Sequence, residues 1–145
     1  MRIRGYWGEH DAPYLKARLI APSLKINQIL TFLIDTGASK TILLDRDAIF
    51  KLALPYDKLP RHRHSTVGIG GIVDTFELRN VRLLFVADSA LHTVHLADLP
   101  VLRHTPRTRE EVERIKLLPS VVGRDILNRF QVTLHRARRV VRLEG

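Results

Sequence analysis

A single acidic residue ends an apolar run in the stretch FLIDTGASKTI, residues 32–42. Three apolar residues lead into Asp35, and the small, turn-forming residues Thr36 and Gly37 follow it. A carboxylate beside an apolar segment is partly desolvated, which suits it to proton transfer. An Asx turn, in which Asp35 caps its own backbone and Gly37 has a positive φ, would explain the tripeptide without any chemistry. The pattern therefore predicts a tight turn that carries a candidate general acid or base.

Other polar residues offer weaker chemistry. His62 with His64, and His92 with His95, have spacings that are usable in metal sites. Neither pair has a nearby carboxylate or a third ligand, so surface histidines are the preferred interpretation, and we predict no metal and no cofactor. Two carboxylates also serve glycoside hydrolysis, but that chemistry gives no reason for Thr-Gly after the acid.

The composition predicts one folded domain over residues 1–145. The chain is 45% hydrophobic, enough for a core, and it has no cysteine, which excludes disulfides, thiolate catalysis and sulfur-ligated zinc. The first residues form no apolar signal segment, and no apolar run reaches membrane-spanning length. These features predict a soluble, cytoplasmic protein with no membrane partner.

The charge balance favours acidic partners. Twenty-four Lys and Arg residues against 15 Asp and Glu residues give a formal net charge of +9. The basic residues are scattered, however, and several alternate with apolar residues, as on the solvent face of strands. Because aromatic residues are only 6% of the chain and no nucleic-acid-binding motif is present, nucleic acid is not an expected partner. A basic nucleic-acid-binding domain is kept as a minor alternative.

The apolar pattern predicts a mainly β protein with a few short helices. Strands are predicted over 14–20, 26–34, 65–69, 72–86 (with a possible break at Asn80), 91–96, 131–135 and 140–143, and another ends at residue 122. Helices are predicted over 43–54, 107–117 and 124–130, the second with capping-box spacing between Thr108 and Glu111. Gly70 and Gly71 indicate a hairpin turn. This pattern is typical of a closed or sandwich-like β body.

Three ordered motifs resemble those of the retropepsin-like aspartic proteases. FLIDTGASKTI is similar to the active-site loop of that family, and SVVGRDILNRFQVTL, residues 120–134, is similar to its second signature. The hairpin VGIGGIVD lies between them, where the family carries its flap. One Asp-Thr-Gly is a weak signal, whereas three motifs in the family's order are a specific one. The resemblance implies a closed retropepsin-type β-barrel with a flap hairpin, and aspartic endopeptidase activity.

The resemblance also implies a homodimer. The chemistry requires two facing carboxylates, but this chain has one Asp-Thr-Gly, because Asp74-Thr75 is followed by Phe76 and Asp88-Ser89 by Ala90. The second acid would therefore be Asp35 of the partner subunit, related by a two-fold axis.

Roles for the other residues follow from the same resemblance. Asp35 is the expected catalytic residue, and Thr36 and Gly37 support the loop, with Thr36 bonding across the two-fold axis. Gly37 also lines the cleft floor with Ala38. Contacts to a polypeptide substrate in extended conformation are expected from Ala38, Ile69, Gly70, Gly71 and Ile72. Core packing behind the loop is expected from Val121, Val122 and Ile126, with Gly123 permitting close approach.

The chain departs from the family pattern in several places. Ser39 replaces an acid that pairs with the arginine of the second signature in many retroviral members. Arg124 is therefore expected to have another partner or none, with Asp125, Asp45 and Asp47 as candidates. Residues 99–116 look like an addition that serves as a lid, a dimer contact or decoration. The terminal segments 1–7 and 140–144 are candidates for sealing the dimer. A catalytically weak or inactive module of the same fold, which serves for dimerisation or peptide binding, is the alternative to a protease.

Overall fold

The computed structural model describes residues 1–61, 66–68 and 71–145. Its strands join one ten-stranded sheet system: β1 (Arg2–Arg4), β2 (Tyr6–Trp7), β3 (Pro13–Ala21), β4 (Ile26–Ile34), β5 (Thr66–Gly68), β6 (Gly71–Ala87), β7 (Ala90–Arg103), β8 (Val121–Val122), β9 (Gln131–His135) and β10 (Val140–Glu144). The helices are α1 (Asp45–Ala48), α2 (Arg109–Ile115) and α3 (Arg124–Leu127). The mainly β fold predicted from the sequence is confirmed.

The sheet curls into a half-barrel. Its strands follow the order β8-β4-β3-β6-β1-β10-β9, while β2 pairs with β3, and β5 and β7 pair with β6. No pairing within the described residues joins β9 to β8, so the closed barrel predicted above is not confirmed.

The hairpin of β3 and β4 supplies much of the core. Inward-facing positions alternate along β3, from Leu15 to Ala21, and along the end of β4, where Phe32 is fully buried. A short 3-10 segment, Pro22–Leu24, joins the strands, and Lys25 follows it with a φ of 56°. The strands predicted over 14–20 and 26–34 are thus confirmed, and both feed side chains into one core.

The long hairpin of β6 and β7 crosses the middle of the sheet. The pairing runs from Asp74 with Arg103 to Ala87 with Ala90, so the strand does not break at Asn80. The φ of Asn80 is 54°, and the buried positions shift register there, because Leu78 and Val81 are both buried. Residues 99–103, predicted to belong to an added segment, instead extend β7.

The two terminal strands pair with each other inside one chain. Arg2 lies opposite Glu144, and Ile3 lies opposite Leu143. The other neighbour of β1 is β6, and that of β10 is β9. The sealing role predicted for these strands therefore meets a constraint, because their backbone groups already have partners within the chain.

The helices are shorter than predicted. Only Asp45–Ala48 of the range 43–54 is helical, Arg109–Ile115 of 107–117, and Arg124–Leu127 of 124–130. The predicted cap of α2 is confirmed, since the Thr108 side chain accepts a hydrogen bond of 3.1 Å from the Glu111 N–H. Across the described ranges, no helix is long and apolar enough to traverse a lipid bilayer.

Candidate active site

Asp35 is the first residue beyond β4, at the point where that strand lies parallel to β8. The Leu33 N–H donates to the Ser120 carbonyl at 2.8 Å, and the Asp35 N–H donates to the Val122 carbonyl at 3.1 Å. These two bonds fix where β4 ends relative to the second sequence signature. Asp35 is half-buried, while Thr36 and Gly37 are exposed. The carboxylate therefore lies at the end of β4, within reach of solvent.

The Asp35 carboxylate closes a tight turn. Its Oδ1 accepts a hydrogen bond of 3.0 Å from the Gly37 N–H, and its backbone carbonyl accepts one of 3.2 Å from the Ala38 N–H. Within the described part of the chain, Oδ2 accepts no hydrogen bond, so one oxygen is held and the other is open. The Asx-turn interpretation and the catalytic interpretation are thus compatible, because the turn orients the group.

Space rather than backbone conformation favours glycine at position 37. Its φ lies outside the left-handed region, in contrast to the positive φ of the Asx-turn interpretation, but a Cβ there would sit 3.2 Å from Asp35 Oδ1. A side chain would crowd the carboxylate.

Arg124 holds the candidate loop through backbone oxygens. Its Nη1 donates to the Thr36 carbonyl at 3.0 Å and to the Gly37 carbonyl at 2.9 Å. None of the three carboxylates predicted as partners contacts this guanidinium. The prediction was wrong because two carbonyls of the turn point toward α3, a geometry that depends on how the loop folds back.

Asp125, one of those three candidates, instead joins a network with Thr41. Asp125 Oδ1 accepts hydrogen bonds from the Thr41 N–H at 2.9 Å and the Thr41 hydroxyl at 2.8 Å. The same hydroxyl accepts one of 3.1 Å from the Gly123 N–H. Thr41 is fully buried, so its own polar groups depend on these partners rather than on water. They tie the end of the active-site loop to the start of α3.

Gly123 allows the loop and α3 to touch. A Cβ at this position would lie 2.4 Å from the Lys40 carbonyl oxygen and 2.9 Å from that of Ala38. Both obstacles are backbone atoms that cannot rotate away, so the predicted role of Gly123 in close packing agrees with the geometry. Behind this contact Val121, Val122 and Ile126 are buried in the core, as predicted.

The other two candidate partners, Asp45 and Asp47, are fully buried at the start of α1. Asp45 accepts a hydrogen bond of 3.0 Å from the His104 N–H and also contacts the His104 ring nitrogen Nδ1. Asp47 accepts one of 3.0 Å from Arg46 and lies 3.7 Å from Lys51 Nζ. Both acids are committed to anchoring α1 against neighbouring segments.

Two residues that the sequence reasoning missed support this region. Thr41 is described above, and Ser120 accepts a hydrogen bond of 3.1 Å from the Leu44 N–H while being fully buried. Their signal in the sequence is a hydroxyl residue beside apolar neighbours, which is too common to identify them.

Tyr56 is a titratable group near the same anchor. Burial raises the pKa of its hydroxyl above the ordinary value, the negative charge of Asp45 raises it further, and Arg103 opposes both effects. Arg103 stacks over the Tyr56 ring at 4.9 Å from its centroid. Because Tyr56 stays neutral and lies away from the Asp35 loop in the chain, we assign it to packing.

The predicted substrate hairpin is only partly described. β5 and β6 pair antiparallel, with Thr66 opposite Val73 and Gly68 opposite Gly71. Of the predicted contact residues, Gly71 and Ile72 begin β6, whereas Ile69 and Gly70 lie outside the described residues. The flap role stays a prediction.

The remaining polar candidates do not converge. Asp74 is exposed on β6, and Asp88 is exposed at the turn between β6 and β7. His92 lies opposite Phe85 and His95 opposite Arg82, three residues apart on one strand, so their side chains leave opposite faces of the sheet. His62 and His64 lie outside the described residues. Among the residues that are described, no group of three side chains has the arrangement of a metal site.

Comparisons with known proteins identify a family and a similar fold. A model of the retroviral aspartyl protease family matches residues 12–135. The crystal structure of a retropepsin-like aspartic protease from Rickettsia conorii has a similar fold, with a TM-score of 0.59 at 19% sequence identity, over 99% of this chain and 90% of that chain. At that identity the structural likeness concerns the fold alone. No curated protein matches the sequence.

Proposed function

The chain belongs to the retropepsin-like aspartic protease family, and we propose that it is an aspartic endopeptidase that uses Asp35 as its catalytic residue. One observation carries the proposal: the carboxylate of the chain's single Asp-Thr-Gly stands half-exposed at a strand end, with Oδ1 held by the Gly37 N–H. This arrangement orients one oxygen and leaves the other for a water or a substrate. We also infer that residues 1–145 act as one domain.

The chemistry needs a second carboxylate, and we propose that Asp35 of the partner subunit supplies it. Two carboxylates at close range share one proton, because like charges cannot both ionise there. The pair then titrates as one unit. Since the chain holds one Asp-Thr-Gly, a two-fold homodimer is the simplest way to build the pair.

Hydrolysis then proceeds by addition and collapse. The ionised carboxylate takes a proton from a water as the water oxygen bonds to the scissile carbonyl carbon, and the protonated carboxyl gives its proton to the carbonyl oxygen. The tetrahedral intermediate collapses when its carbon–nitrogen bond breaks, a carboxyl proton passes to the amine, and the other carboxylate takes a proton from one hydroxyl of the intermediate. This leaves the carboxylic acid product and returns the pair to its starting state with one shared proton. Neither acid bonds covalently to the substrate.

The surrounding elements are proposed to hold the peptide. Thr36 bonds to its counterpart across the two-fold axis, and Gly37 and Ala38 line the cleft floor. The hairpin of β5 and β6, with Ile69, Gly70, Gly71 and Ile72, covers the substrate and excludes water. An extended polypeptide suits this cleft because its backbone can pair with such segments.

The variant Asp35→Asn tests the catalytic assignment. The amide keeps the shape of the side chain but cannot act as a base, so we expect cleavage of a peptide mixture to fall about 10²- to 10⁴-fold. Asp57→Asn is the matched control, because Asp57 is exposed on a 3-10 segment distant in sequence from the loop. Analytical ultracentrifugation should give the same mass for both variants and the wild type.

Two results would contradict the proposal. Equal cleavage by the wild type and Asp35→Asn would place the activity elsewhere. A wild type that binds peptides but cleaves none would favour the inactive peptide-binding dimer.

A further inference from the structure

The loop that follows Asp35 is pinned on both sides of Lys40. Before it, the Ser39 carbonyl accepts a hydrogen bond of 3.2 Å from the Asp125 N–H. After it, the Thr41 N–H donates to Asp125 Oδ1 at 2.9 Å, and Thr41 is fully buried. The backbone of Lys40 itself packs against Gly123. The exposed Lys40 side chain is therefore attached to a backbone that is held in place by its neighbours.

The ammonium group of Lys40 has no bonding partner in the described part of the chain. Lys40 is exposed, and within residues 1–61, 66–68 and 71–145 it forms no ion pair and its side chain donates no hydrogen bond. The lysines that have structural partners differ in this respect, as Lys51 pairs with Asp47 and Lys116 with Glu113. An exposed cation that has no partner among the described residues, on a held backbone beside a candidate catalytic loop, is available to a ligand.

The neighbouring charges reinforce its sign. Arg124 is exposed and donates to two carbonyls of the loop, and the Arg129 side chain donates to the Asp125 carbonyl at 3.1 Å. The Asp125 carboxylate, whose Oδ1 accepts bonds from Thr41 and the Ile126 N–H, offsets one of these positive charges and is outnumbered by Lys40, Arg124 and Arg129. Apart from Asp35, the loop region thus presents positive charge.

We propose that Lys40 is a specificity-determining residue that favours peptides carrying an Asp or Glu side chain a few residues from the cleaved bond. This inference rests on the proposed function. Lys40 is the fifth residue after Asp35, so at most about 18 Å of extended chain joins them. An extended substrate advances about 3.3 Å per residue, so a carboxylate two to four residues from the scissile bond falls within that range. Opposite charge at an exposed site contributes modestly, which suits selection among substrates.

The test compares two synthetic peptides that differ only in Glu or Gln at those positions, built around a bond that the wild type cleaves in a peptide mixture. We expect kcat/KM for the Glu peptide to exceed that for the Gln peptide about two- to fivefold at low salt. The ratio should approach one in about 1 M NaCl, where charges are screened beyond roughly 3 Å. Lys40→Gln should remove the preference, and Lys40→Glu should reverse it.

Lys16→Glu is the charge-matched control, because Lys16 is exposed on β3, away from the loop in sequence. It should keep the wild-type ratio. The inference is overturned if the wild type cleaves both peptides equally, or if Lys16→Glu alters the ratio as much as Lys40→Glu does, since net charge would then explain the effect. Failure of the proposed function gives other results. If cleavage survives Asp35→Asn, or if neither peptide is cleaved, both the proposed function and the inference on Lys40 are overturned.

Discussion

Thr41 shows how one buried hydroxyl organises the candidate site. Its hydroxyl donates a hydrogen bond to the Asp125 carboxylate and accepts one from the Gly123 N–H, and both partners belong to the second signature. Because Thr41 and Gly123 are buried, the hydroxyl and this N–H have no water as a substitute partner. The loop that carries Asp35 and the helix behind it are therefore joined by a bond network as well as by apolar packing.

Replacing Thr41 by valine should expose the value of this network. The change keeps the shape but removes the hydroxyl, which leaves the Gly123 N–H without its acceptor, so we expect the free energy of unfolding to fall by about 1–3 kcal/mol. Thr41→Ser keeps the hydroxyl and loses one methyl group, and its cost should be smaller. Denaturant unfolding measures both. If serine costs as much as valine, the methyl group rather than the hydrogen bonds stabilises the loop.

The sequence predicted these residues unequally. Asp35 was identifiable because an acid at the end of an apolar strand, followed by Thr-Gly, is a local pattern. The partners of Arg124 were not, since they are carbonyls whose direction depends on the folded turn. Side-chain chemistry is legible in a sequence, whereas backbone acceptors appear only when distant segments meet.

Among the elements, the predicted helix over 43–54 shows a limit of apolar spacing. Leu44, Ala48 and Leu52 repeat at helical intervals, yet regular helix ends at Ala48. Ala53 has a φ of 46°, so the chain turns there, and the helix is held by Asp45 and its partner His104 from the far end of β7. The strands were predicted better, because alternation along them reflects the two faces of the sheet directly.

Tyr56 lies on a 3-10 segment, Tyr56–Lys58, that packs onto the β6–β7 hairpin. Its ring meets Phe76 edge to face with centroids 5.1 Å apart. Its hydroxyl is buried and finds no hydrogen-bond partner within the described ranges. A buried hydroxyl without a partner costs free energy, so this segment is held by its apolar and stacking contacts.

The variant Tyr56→Phe should therefore stabilise the protein. We expect a gain of about 0.5–2 kcal/mol at neutral pH, because the unpaired hydroxyl is removed and the ring contacts remain. Burial also raises the pKa of Tyr56, so the folded state keeps this proton after the unfolded state has lost it. The titration of Tyr56 therefore leaves the stability of the wild type unchanged below about pH 10 and lowers it as the pH rises above that value.

Unfolding measured at pH 7 and at about pH 10.5–11 checks both effects. The difference in stability between Tyr56→Phe and the wild type should widen at the higher pH, since only the wild type has the extra titration. Tyr6→Phe is the control, because Tyr6 is exposed on β2. A variant less stable than the wild type at pH 7 would mean that the hydroxyl has a partner after all.

At the scale of the molecule, the pairing of the two terminal strands is a feature that local sequence patterns do not predict. β1 lies between β6 and β10, and β9 ends that path of the sheet. The sequence predicted a mainly β fold because strand patterns are local, but it did not predict these neighbours, because they join residues near opposite ends of the chain. The backbone of β1 is therefore already paired within the chain, and the proposed dimer would use other surfaces.

Mixing subunits tests whether two chains share one site. Wild type and Asp35→Asn would be combined in equal amounts and allowed to exchange subunits. The activity of the mixture is compared with that of wild type alone at the same total protein concentration. If both copies of Asp35 are needed, only wild-type pairs act, and random pairing leaves about one quarter of the activity. Independent sites would leave about one half. A mixture with Asp57→Asn, which keeps the catalytic acid, should retain full activity and control for the exchange step.

Specific activity of the wild type should also fall on dilution, since the separated subunit holds half of the pair. A result of one half, unchanged by dilution, would show that a single chain carries the whole catalytic apparatus.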